Sequence, residues 1–172
     1  VAKMKAREVA YAGIFTAFVA VSAQISVSIG PVPLTFQVFA VLLTGLLLGS
    51  RLGFLTVLTY DIAGAVSLPV FAGFTGGIAH IYGPTGGYIL AFPLAALVTG
   101  LAKGKGRKAK LVASGVAIAL IYVLGWLCLG LYFGGNFEKA FELGVAPFVI
   151  PDIIKALIAV EISEAVERRL EP

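Results

Sequence analysis

Charge is scarce in this sequence. Asp, Glu, Lys and Arg make up 13% of its 172 residues, against about 25% in a soluble domain. Cysteine and histidine are nearly absent, with Cys128 and His80 each standing alone. A single cysteine excludes an internal disulfide and a cysteine-built metal site, and a single histidine excludes a histidine-cluster zinc centre. No Gly-Lys-Ser/Thr ending closes any glycine-rich run, so there is no P-loop and no means for this chain to hydrolyse ATP itself. Ser–His–Asp order, paired aspartates on facing helices and a metal-ligand set are also missing. Catalysis is therefore not expected, and no cofactor is implied. A cleavable signal peptide is not expected either, because the apolar run after the basic start is too long and carries no clear small-residue cleavage site.

What is present is apolar. Hydrophobic residues reach 59% and the mean hydropathy is +1.01, far from the about 45–50% apolar content of a soluble domain. The natural solvent is a bilayer. The length suits one helical bundle, so residues 1–172 are read as a single integral membrane domain.

The spans follow from where the apolar runs break. Residues 8–29 form the first, about long enough for a ~30 Å hydrocarbon core. Small residues recur along it at Ala2, Ala6, Ala10, Gly13 and Ala17. Such a stripe lets another helix approach closely, either inside the bundle or on a separate membrane subunit. Gly30-Pro31-Val32-Pro33 then breaks the helix. That segment is expected to be a lid or a re-entrant loop, which is tolerated at depth only against protein or a cavity.

Residues 38–48 and 52–66 are two short apolar segments with Gly49-Ser50-Arg51 as the turn between them. One continuous helix is the alternative, but it puts Arg51 in mid-span. Asp61 lies within the second segment. An acid at depth costs about 2.5–3.5 kcal/mol on insertion scales, so it is expected to face a cavity or the interface. Residues 67–87 are too rich in glycine and proline for a helix. Residues 88–101 form the fourth span, 111–132 the fifth, and 147–169 the sixth, with 134–144 as a loop. Tyr132 and Phe133 suit an aromatic belt, Trp126 and the phenylalanines suit lipid or core, and His80 an exposed loop.

Six spans put both termini on one side. That side carries Lys3, Lys5, Arg7, Arg51, Lys103, Lys105, Arg107, Lys108, Lys110, Arg168 and Arg169, whereas the other carries only Lys139. By the positive-inside rule the termini are cytoplasmic in a multi-pass cell-membrane protein. The same asymmetry accounts for the net charge of +4 and removes nucleic acid as a partner.

The proline loop, the glycine-rich loop and the start of the sixth span meet on the outer side. There, in Pro147-Phe148-Val149-Ile150-Pro151-Asp152-Ile153-Ile154-Lys155, one acid and one base interrupt an apolar run. Three residues apart, Asp152 and Lys155 share a helix face. Pro151 suits the first helical position and Asp152 the first turn, where the helix dipole favours an anion. Two readings stand. The pair neutralises itself, or both groups point at a ligand, one accepting and one donating. Thr35, Gln37, Thr85 and Tyr88 are candidates for neutral hydrogen bonds.

The runs GPVPLTFQVFAVLLTGLLLGSRLG, SLPVFAG, GPTGGYILAF and PDIIKALIA together resemble the biotin transporter BioY family, in order and over nearly the whole chain. These proteins are the substrate-binding S components of energy-coupling-factor transporters. The resemblance implies a six-helix, all-α membrane fold that binds biotin near the outer surface, with the loop after the first helix closing the pocket. It implies a transmembrane coupling subunit and two cytoplasmic ABC-type ATPases as partners. It also implies that Asp152 and Lys155 contact the ureido end of biotin, and that Ala6 and Ala10 lie where the coupling subunit docks. Asp61 departs from the apolar residue expected there. An S component for thiamin or riboflavin, and a proton- or ion-coupled carrier relaying through Asp61 and the 152/155 pair, are the alternatives.

Overall fold

The computed structural model describes residues 3–172, so Ala2 of the small-residue stripe lies outside the described residues. Helix α1 spans Ala6–Gln24. It ends five residues before the expected limit because the chain turns into a short antiparallel ribbon. Strands β1 (Ser26–Val27) and β2 (Leu34–Thr35) pair Ser26 with Thr35 and Val27 with Leu34. The two prolines and Gly30 occupy the tip of this hairpin, where no ladder N–H is needed.

Helix α2 (Gln37–Leu48) and α3 (Ser50–Ala65) are separate. Gly49 between them has φ +90°, a conformation open to glycine that ends one helix and starts the next. Arg51 is thereby exposed in the first turn of α3 instead of buried in mid-span. The glycine-rich segment contains one short helix, α4 (Ala79–Tyr82), before α5 (Gly86–Gly100). Helix α6 is Arg107–Tyr132.

The expected loop at 134–144 is mostly helical, as α7 (Phe137–Gly144). Asn136 caps it, its Oδ1 accepting from the Lys139 N–H at 3.0 Å, and Glu138 sits in its first turn. Both are start signals within the sequence. The Trp126 indole N–H donates to the Phe137 carbonyl at 2.8 Å and fixes α7 to α6. A 3-10 turn (Ala146–Phe148) leads into α8 (Val149–Leu170). Pro151 is thus the third helical residue, not the first. Its missing N–H still falls among the four that a helix start leaves unpaired.

The six principal helices, α1, α2, α3, α5, α6 and α8, pack into one bundle with α5 against α6, α3 and α2. By length and hydropathy α1, α6 and the α7–α8 unit suffice to cross a membrane. Helices α2, α3 and α5 have 12, 16 and 15 residues, short of the ~20 a span needs. Ten of the twelve residues of α2 are buried. In α1 only Val19, Ser22 and Ala23 are, so α1 is the peripheral helix and α2 the central one.

Candidate functional site

Two cavities lie at the outer end of the bundle. The larger is about 520 Å³, walled by the hairpin tip, the 67–87 segment and the first turns of α5. The smaller, about 40 Å³, reaches Tyr122, Asp152 and Lys155. Val32, Pro33, Thr35, Tyr88 and Phe92 wall both. The ion pair therefore sits behind the floor of the larger chamber.

Asp152 and Lys155 lie in the first two turns of α8 and are 2% and 8% exposed. The Lys155 ammonium donates to Asp152 Oδ1 at 2.9 Å and to the Thr35 carbonyl at 2.6 Å. The Tyr122 hydroxyl donates to Asp152 Oδ2 at 2.7 Å. The pair does face itself, but it is not used up. An ammonium has three protons and a carboxylate about four acceptor positions, so one donor and two acceptor positions remain at the wall of the small cavity. Two charges this deep are tolerated because each has a partner of the opposite sign and further hydrogen bonds.

Lys155 also ties α8 to the hairpin. The contact is with the main chain of Thr35; the Thr35 hydroxyl instead accepts from the Gln37 N–H at 3.2 Å and steadies the start of α2. Gln37 is 5% exposed and lines the larger cavity. Its amide nitrogen lies beside the Tyr60 hydroxyl but makes no hydrogen bond of ordinary geometry with the described residues. A buried amide N–H₂ without an acceptor costs about 1–3 kcal/mol, and an acceptor on a ligand would relieve that cost.

Tyr88 lines both cavities with its ring, while its hydroxyl donates to the Gly144 carbonyl at 2.7 Å. A side chain at Gly125 or Gly144 would overlap the Tyr88 ring or hydroxyl, so those glycines make its place. His80 is half-buried, not exposed. It lines the larger cavity and packs edge-on against Phe71 with ring centres 5.5 Å apart. The Thr85 hydroxyl donates to the His80 carbonyl at 3.4 Å. Asp61 is buried, with Oδ1 unpartnered among the described residues, and is not among the residues lining the outer cavities. Ala6, Ala10, Gly13 and Ala17 are all exposed on α1, which overturns the reading of the stripe as packing within the bundle.

The comparison with known proteins agrees with this architecture. The family model described as the BioY family matches residues 1–172. The chain belongs to the BioY family. The protein named Probable biotin transporter BioY from Pyrococcus horikoshii is 57% identical over 164 residues, covering 95% of this chain and 98% of that one. The Biotin transporter BioY of Thermotoga maritima is 48% identical over 155 residues, covering 89% and 91%. A crystal structure of the S-component for biotin from an ECF-type ABC transporter superposes with a TM-score of 0.87 over 96% of this chain and 95% of that one. At 23% identity that likeness speaks for the BioY fold.

Tyr122 is the site residue that sequence reasoning missed. It lies thirty residues before Asp152, on α6, within an unbroken apolar run. The only signal was a lone hydroxyl in mid-span. Tyr122→Phe should keep the BioY fold and lower ligand affinity about tenfold, since Asp152 Oδ2 loses a donor at a charge-assisted bond worth about 1.5–3 kcal/mol. Titration of the purified variant checks this, and unchanged affinity would remove Tyr122 from the site.

Proposed function

We propose that this protein is the biotin-binding S component of an energy-coupling-factor transporter, a multi-pass membrane subunit and not an enzyme. The observation that carries the reading is the buried Asp152–Lys155 pair, with spare hydrogen-bonding capacity, at the wall of an outer cavity in a member of the BioY family. Biotin pairs a flat ureido group, which both donates and accepts, with an apolar chain. An acid and a base side by side serve the first, and Val32, Ile89 and Phe92 suit the second. The larger cavity falls within the about 300–1,000 Å³ typical of small-molecule sites.

Asp152 and Lys155 take the ureido group, Gln37 supplies an amide donor, and Thr35 and Tyr88 shape the wall. The hairpin is the cover, held by Lys155. The whole chain acts as one substrate-binding unit. It passes biotin inward with a transmembrane coupling subunit, which docks on Ala6 and Ala10 of α1, and two cytoplasmic ATPases. A proton relay from Asp61 to the pair has little support, since Asp61 lines neither outer cavity and its Oδ1 has no hydrogen-bond partner among the described residues.

The test is a ligand panel on the purified protein. Biotin should raise the thermal midpoint by several degrees, with thiamin and riboflavin inert. Stabilisation by one of those two and not by biotin would overturn the assignment.

A further inference from the structure

A third cavity, of about 660 Å³, lies at the opposite end of the bundle. Its walls are the start of α1, the α2–α3 turn, the segment after α5 and the last turns of α8. Positive-inside charge puts this end at the cytoplasmic leaflet. Three cations from three elements line it: Arg7, Arg51 and Lys103. Two acids, Glu8 and Glu167, line it as well. Glu8 accepts from the Lys5 N–H at 2.8 Å. Glu167 accepts from the Gly104 N–H at 3.1 Å and from the buried ammonium of Lys110. Among the described residues Lys103 reaches only the Leu48 carbonyl, at 3.5 Å, the limit of a hydrogen bond. Three cations against two acids leave the lining net positive, and Phe15, Leu47, Leu52 and Leu55 make the rest apolar.

We propose that this groove binds an anionic phospholipid of the cytoplasmic leaflet, its phosphate near Arg7 and Lys103 and one acyl chain along Phe15 and Leu55. Basic pockets between membrane helices on the cytoplasmic side are suited to such headgroups, and the apolar wall selects a lipid over a free anion. The groove is distinct from the small-residue stripe. At 100° per residue, the face of α1 carrying Arg7, Tyr11 and Phe15 lies about 120° from the one carrying Ala6, Ala10 and Ala17. One helix can therefore hold a lipid on one side and leave the other open.

Native mass spectrometry of the purified protein, titrated with phosphatidylglycerol and with phosphatidylcholine of the same chains, tests this. Phosphatidylglycerol should be retained at least tenfold more strongly. The double variant R7Q/K103Q should lose that preference, R7K/K103R should keep it, and Leu55→Trp should weaken retention by filling the trough. Equal retention of the two lipids, indifference to R7Q/K103Q, or displacement by millimolar inorganic phosphate would overturn the proposal. So would a second protein chain held on this face in place of lipid. The lipid preference of the unaltered protein is itself decisive if a variant fails to fold.

Discussion

Lys155→Ala should give a protein that still inserts in the membrane but binds biotin at least a hundredfold more weakly. A hundredfold is ~2.8 kcal/mol, within reach of losing one partner of a buried, hydrogen-bonded charge pair. The change removes three things together. The ligand loses a donor, Asp152 keeps a buried carboxylate without its cation, and the hairpin loses the 2.6 Å bond at Thr35. Equilibrium binding of labelled biotin to the purified variant measures the first effect. Hydrogen exchange at residues 26–35 measures the third and should quicken. Asp152→Asn should weaken binding similarly, and the double variant should be little worse than either single one, because partners in one network are not additive. Wild-type affinity in both single variants would refute the role given to the pair.

Ala10→Trp should reduce recovery of the complex with the coupling subunit at least tenfold and leave biotin affinity unchanged. Ala10 is exposed on the peripheral helix, which buries only Val19, Ser22 and Ala23, so an indole there meets lipid and not the core. Helices that meet across small residues pack with their backbones close, and an indole holds them apart. Co-purification with the coupling subunit reads the result. Val112→Trp, on the exposed face of α6, is the control and should assemble normally. Full recovery of the Ala10 variant would mean that the stripe is not the docking face.

The pair at 152 and 155 was legible because two charges in a long apolar run have few explanations, and a spacing of three puts them on one helix face. The turn at Gly49 was legible for a related reason, since a continuous helix would have buried Arg51. The stripe on α1 was recognised, but not its direction. Small residues favour close approach equally inside and outside a bundle, and only the exposure of Ala6, Ala10, Gly13 and Ala17 shows that they do not pack within it. The short helix α7 was hidden behind glycines and charges, although Asn136 and Glu138 marked its start.

Other features had no sequence signal strong enough to read. The Lys155 bond at Thr35 spans 120 residues and ends on a main-chain carbonyl, which every residue possesses. Tyr88 is a candidate for a neutral hydrogen bond in sequence, to a loop or to a ligand, but nothing local names Gly144, 56 residues away, as the acceptor of its hydroxyl. His80 was read as exposed because polar loop residues usually are, yet Phe71 and the cavity hold it half-buried.

The sequence by itself determined the solvent, the number of principal helices, their orientation and the one charged pair worth noticing. Those properties are set by hydrophobic content, breaker positions and the distribution of Lys and Arg, all local or additive along the chain. Only the tertiary structure decided what the pair touches, which face α1 leaves open and where the cavities lie. Those depend on which distant segments come within a few ångströms, and no local pattern encodes a hydrogen bond between α8 and a hairpin carbonyl.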